Sequence, residues 1–137
     1  MDTDTFTLWL SGHPEVCSRI ASTEDDRLAV TIITVEEVLS GWYTQLRKSK
    51  DDARLARAYR SLQDSVEVFG LLAILPFDAA AIARYRNLSS LHRRTGRNDL
   101  KIAATVLEHA DTLVTRNVTD FESVDGLTIE DWSRSGS

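Results

Sequence analysis

An α/β domain with a mainly parallel sheet is the fold class this sequence predicts, and three observations carry it. Short apolar runs at Leu28–Ile33, Leu71–Pro76 and Thr112–Thr115 alternate with stretches of helical period. The first run is β-branched and continuous, as in a parallel strand buried on both faces. The 137 residues are enough for one domain with a genuine core, and no linker or repeat divides them. Residues 1–132 are therefore read as a single domain and 133–137 as a flexible tail.

Composition narrows the class. Hydrophobic content of 42% and charged content of 27% are ordinary globular values. No apolar run approaches the roughly 20 residues that span a bilayer, so no membrane partner is expected. The first residues are acidic where a secretory signal is basic. The lone Cys17 cannot form an internal disulfide, which fits a reducing, cytoplasmic setting. A net charge of −5 argues against gripping nucleic acid by bulk electrostatics. It leaves room for a nuclease whose acids gather around a metal.

Taken in order, Asp2 and Asp4 form a turn-like acidic cluster before a short helix over Phe6–Leu10. Pro14 suits the first turn of a second helix reaching about Ser22, preceded by Gly12 or His13. A polar connection from Ser22 to Arg27 leads to the Leu28–Ile33 strand. Thr34-Val35-Glu36-Glu37 has the form of a capping box, so a helix is expected from Thr34 to Gln45 or beyond, turning Val35, Val38, Leu39 and Trp42 inward. Asp52 to Phe69 reads as a second long helix with Leu55, Ala58, Tyr59, Leu62, Val66 and Phe69 at core spacing. The pair suggests a helical hairpin. After the Leu71–Pro76 strand, Asp78 is placed to cap a helix through Ala79, Ile82, Tyr85, Leu88 and Leu91, ending near Gly96.

The next helix begins with Asp99, and Asp99, Ile102, Ala103, Val106, Leu107 and Ala110 share its inner stripe. A carboxylate at the edge of such a stripe is costly unless something compensates it. Asp120 follows the Thr112–Thr115 strand in a loop with Asn117, and a last short strand is expected at Leu127–Glu130. Ligand crevices of open α/β sheets lie beyond the carboxyl ends of the strands. Glu37, Asp99 and Asp120 all fall at that edge. Each acid has an ordinary explanation alone: Glu37 as the fourth member of its capping box, Asp99 against a helix dipole, Asp120 as a turn cap. One shared cation site accounts for all of them together.

The motifs in order resemble the PIN domain family, specifically its VapC-type toxin ribonucleases. Asp2-Thr3-Asp4 stands where that family has an Asp-Thr-Asn-like triplet. Thr34 to Gly41 matches its Glu-bearing block, placing the acid at Glu37. Asp99-Leu100-Lys101-Ile102-Ala103-Ala104 and Thr115-Arg116-Asn117-Val118-Thr119-Asp120-Phe121 match the last two blocks, and Gly126-Leu127 to Trp132 resembles the family's end. The resemblance implies a three-layer α/β/α fold with a five-stranded parallel sheet and metal-dependent cleavage of RNA. It implies Asp2 and Asp99 as direct ligands of Mg²⁺ or Mn²⁺, since oxygen-only donors suit those ions and no Cys/His pattern suits zinc. Glu37 and Asp120 fall to a water-mediated shell or to orienting the nucleophile, with Asp4, Thr115 and Asn117 in support. Arg93, Arg97, Lys101 and Arg116 are candidate contacts to the RNA backbone.

A cognate antitoxin, for which Trp42 and Tyr43 are candidate contacts, and a homodimer are also implied. Two departures stand out. The family's first strand lies mid-sheet and is nearly absent here, which implies a start further upstream or a clipped strand and a poorly anchored Asp2. Asp4 replaces the usual Asn. The alternative is a catalytically impaired PIN-like module that binds RNA or protein. A phosphate-accepting signalling domain also gathers acids at a sheet edge, but it requires a late Lys, and none follows Lys101.

Overall fold

A computed structural model describes residues 1–24 and 27–134. Positions 25 and 26 of the polar connection and 135–137 of the tail lie outside the described residues. Among those described, Ser133 is tied back, its amide and hydroxyl both donating to Asp131 Oδ1.

The chain begins with α1 (Thr3–Leu10) and α2 (Pro14–Ala21), followed by β1 (Ala29–Thr31). The hairpin of α3 (Ile32–Lys48) and α4 (Asp52–Phe69) leads to β2 (Ala73–Leu75) and α5 (Ala79–Leu91). Then come α6 (Arg97–His109), β3 (Thr112–Val114), the single turn α7 (Val118–Phe121) and β4 (Thr128–Glu130). β1 pairs in parallel with β2, and β3 in parallel with β4. Each parallel pair needs a crossover, supplied by α3 and α4 in the first case and by the α7 segment in the second.

The start of the chain joins these two pairs. The Met1 nitrogen donates to the Ala29 carbonyl at 3.0 Å, and the Asp2 amide donates to the Val114 carbonyl at 3.0 Å. Residues 1 and 2 thus lie between β1 and β3, and both are buried. Asp2 is firmly anchored, contrary to the sequence expectation, because two main-chain donors are enough to dock a segment that has no strand of its own.

Adjacent residues of β3 face opposite ways, as strand geometry requires. Val114 packs with Phe6, Val16, Val30, Val38, Phe69 and Trp132, whereas Leu113 packs with Leu88, Leu100, Ile102, Val106 and Phe121. A core on each face makes the three layers. Phe6 stacks on Phe69 with centroids 4.5 Å apart, fixing α1 against the end of α4.

Several boundaries move. The Leu28–Ile33 strand is cut short because Thr31, not Thr34, is the N-cap: its hydroxyl accepts from the Thr34 amide at 3.1 Å. Thr34 is itself buried and accepts from the Thr31 hydroxyl. α1 begins at Thr3 because the Asp2 carboxylate caps it. α5 stops at Leu91 rather than near Gly96, and Asp120 lies in α7 rather than in a loop. Tyr59, Val66 and Leu91, expected inside, are 57%, 54% and 75% exposed. Helical spacing marks a face, but the layer opposite must be wide enough to cover it.

Candidate metal centre at the carboxyl edge of the sheet

Four chain segments deliver the acids. Asp2 ends the stub between β1 and β3, and its carboxylate accepts from the Thr5 amide at 3.0 Å and from the Thr115 hydroxyl at 2.5 Å. Thr115 in turn accepts from the Asn117 amide at 2.9 Å, so its hydroxyl can only point at Asp2. Asn117 Nδ2 donates to Asp120 Oδ2 at 2.7 Å. One run of three bonds therefore aligns Asp2 and Asp120 through the segment that leaves β3.

Glu37 projects from the second turn of α3. With the helix capped at Thr31, Glu37 is too far along to close a capping box, and that explanation of it falls. Its oxygens are held instead by the Thr3 hydroxyl at 2.6 Å and by Asn98 Nδ2 at 3.2 Å. Asp99 is the third residue of α6, whose N-cap is Gly96, without a side-chain cap. The Asp99 carboxylate accepts no hydrogen bond from the described residues. Burial pushes its pKa above the ordinary 3.8, and the charges of Glu37, Asp120 and Asp2 push it further the same way.

Asp2, Asp4, Glu37, Asp99, Arg116 and Asn117 line one open cleft of about 560 Å³, together with Thr3, Thr7 and Ile102. Asp120 stands at its edge and is exposed. Thr115 lies buried beneath it. Arg93 and Arg97 are exposed near the start of α6 and do not line the cleft. Lys101 does not line the cleft either: its ammonium is 5.8 Å from the centre of the Tyr85 ring and 5.9 Å from that of Phe77, and it borders an adjoining pocket with Glu37 and Asn98. Of the four basic candidates, Arg116 alone reaches the cleft. Thr3 and Asn98 were missed by reading motifs. Their adjacency to Asp2 and Asp99 was the only hint, since a residue beside one acid of the cluster is placed to hold another.

A bound divalent cation fits this donor set. No group of three His, Cys, Asp or Glu residues among those described is drawn together tightly enough to hold an ion alone. Mg²⁺ does not need that, because it keeps several waters and takes one or two carboxylates. Asp99, with no donor on it, and Asp2 beside it are the carboxylates that could supply them.

The model of the PIN domain matches residues 1–127. The chain belongs to the PIN domain family. A curated relative, Ribonuclease VapC1 of Haemophilus influenzae (strain R2866), is 26% identical over 139 residues, covering 98% of this PIN domain and 97% of the relative. The structure is similar to a DNA-bound VapBC from Salmonella typhimurium, with a TM-score of 0.78 at 24% identity, over 96% of this chain and 95% of that one. A toxin–antitoxin complex from Klebsiella pneumoniae gives a TM-score of 0.72 at 22% identity, over 96% and 94% of the two chains.

Proposed function

We propose that this PIN domain is a VapC-type endoribonuclease, dependent on Mg²⁺ or Mn²⁺ and held inactive by a cognate antitoxin. The observation that carries the reading is Asp99: a half-buried carboxylate without a hydrogen-bond donor, among three other acids that raise its pKa. Like charges so placed need a cation. A bound divalent ion would neutralise them, activate a water and stabilise charge on the phosphate under attack.

Asp2 and Asp99 would hold the ion directly. Thr115 fixes the orientation of Asp2, and Thr3 with Asn98 fixes that of Glu37, so each carboxylate is aimed before substrate arrives. Glu37 and Asp120 are left to bind metal waters or orient the attacking one. The similarity to Ribonuclease VapC1 supports RNA as substrate, and the likeness to VapBC and toxin–antitoxin complexes supports an antitoxin partner.

The partner has a place to lie. A groove of about 510 Å³ between α1, α3 and α4 shares Thr3, Thr7 and Glu37 with the acidic cleft and continues past Leu10, Val38 and Trp42. A segment seated there would end at the carboxylates. Of the two candidate partner contacts named from sequence, Trp42 lines this groove and Tyr43 lies outside it. Exposed Tyr59, Val66 and Leu71 offer apolar surface to a second copy, and light scattering would show whether a homodimer forms.

The deciding experiment is RNA cleavage by the purified protein with MgCl₂ or MnCl₂. EDTA should stop it, and Asp99→Asn should lower it by about 100-fold or more. Equal cutting in EDTA, or by the Asn variant, overturns the reading. RNA binding without any cutting would favour the impaired binding module.

A further inference from the structure

We propose that Asp4 is a positioning residue: it holds the Arg116 guanidinium over the acidic cleft, where Arg116 takes a phosphate of the RNA strand. The inference rests on the ribonuclease reading above.

Among the residues lining the cleft, Arg116 is the one cation, against Asp2, Asp4, Glu37 and Asp99. A single divalent ion leaves carboxylate charge in excess. An approaching polyanion therefore meets repulsion over about a Debye length, ~8 Å at physiological salt, unless a cation stands at the rim. Left untethered, an arginine in this cleft would swing onto Asp99, the carboxylate without a donor, and compete for the ion's place.

Asp4 prevents that. Its two oxygens face the Nε edge of the guanidinium: Arg116 Nε donates to Asp4 Oδ2, and Nη2 reaches Oδ1 at 3.4 Å. The remaining N–H groups are left for a phosphate, the geometry an arginine fork favours. Both side chains are about half exposed, at 50% and 47%, so a strand can reach them.

Asp4 in the first turn of α1 would complement the helix dipole wherever it pointed. That role does not explain a two-point grip on a residue 112 positions away. Nor does stability, since ion pairs this exposed contribute little. Beneath it the buried Asp2–Thr115 bond already ties the same two segments together.

The test is a double-mutant cycle read on RNA, with binding of a labelled single-stranded oligoribonucleotide followed by anisotropy in an Asp99→Asn background. Steady-state cleavage is measured with Asp99 intact. Arg116→Ala should weaken binding and raise KM by about 10-fold, leave kcat within about threefold, and flatten the slope of log affinity against log salt by about 0.7. Asp4→Ala should raise KM by about fourfold, and Asp4→Glu should restore it. In the Arg116→Ala background Asp4→Ala should no longer weaken binding, and affinity should stay level or rise slightly as one repelling charge is lost, because its favourable effect runs through the arginine.

Additive effects, or RNA affinity unchanged in either single variant, overturn the proposal. So does a fall in melting temperature beyond about 3 °C accompanied by unchanged affinity, which would make the pair structural. If the wild-type chain cuts no RNA, the ribonuclease reading fails by itself. The binding cycle then still decides whether Asp4 acts through Arg116, and a chain that binds no RNA overturns both.

Discussion

Thr115→Val tests the support of the site most sharply, because valine keeps the shape and removes only the hydroxyl. Thr115 is wholly buried, and that hydroxyl donates to Asp2 Oδ2 at 2.5 Å while accepting from the Asn117 amide. The bond is buried and Thr115 is wholly covered, so little water reaches the side of the Asp2 carboxylate that this hydroxyl serves. An abandoned, buried, charged acceptor costs about 2–3 kcal/mol. The lower end applies here, since Asp2 Oδ1 keeps the Thr5 amide. The Asn117 amide belongs to an exposed residue and can turn to water, adding little.

About 2 kcal/mol corresponds to roughly 6–8 °C of melting temperature for a chain of this size. The assay is thermal unfolding in EDTA at neutral pH, with Thr115→Ser as control. Serine keeps both hydrogen bonds and gives up a methyl group, about 1 kcal/mol. Valine must therefore be the worse of the two. A valine variant that melts within 2 °C of wild type, or above the serine variant, would refute the claim that this hydroxyl holds Asp2 in place.

Asp99→Asn should melt higher than wild type in EDTA. The folded-state pKa of Asp99 is raised, so its favourable contribution is present below the ordinary 3.8 and lost as pH rises through the folded value, leaving ionised Asp99 unfavourable at neutrality. With Mn²⁺ at about 100 times its Kd the order should reverse, wild type gaining about 2.7 kcal/mol and the variant little. Asp78 shows the opposite sign. The Ala81 amide first, then His109, lower its pKa, so its cap contributes above 3.8 and fades as pH falls through the lower folded value. Asp78→Ala should thus melt below wild type at pH 7, with the gap closing under strong acid. Gly126 has φ +82°, and a Cβ there would sit 3.7 Å from Leu107 Cδ2, an ordinary contact. Gly126→Ala should then cost only the backbone term, about 1–2 kcal/mol by urea unfolding.

The site was legible where chemistry is carried by residue type. Asp99 at the edge of an apolar stripe, and Asn117 and Asp120 beyond a β run, mark themselves because an acid so placed needs a reason. What holds those acids was not legible. Thr3 and Asn98 are ordinary polar residues until folding brings both to Glu37, which is 34 positions from Thr3 and 61 from Asn98. The basic candidates divided for the same reason. Arg116 is fixed in the cleft by Asp4, whereas Lys101, two residues from Asp99, turns to the rings of Phe77 and Tyr85.

Local pattern by itself settled the order of the long helices and the short strands, though not the α7 turn or the end of β1, and it settled which edge collects the acids. Periodicity of 3.6 or of 2 and a parallel crossover leave few alternatives, and those are properties of neighbours in the chain. The choice of Thr31 over Thr34 as the cap of α3, which releases Glu37 from capping, is a local bond between two threonines that pattern alone did not rank. Tertiary structure alone decided that residues 1 and 2 dock between β1 and β3 and that Thr3 and Asn98 meet at Glu37. Those bonds join residues from across the molecule, and no window of sequence contains them.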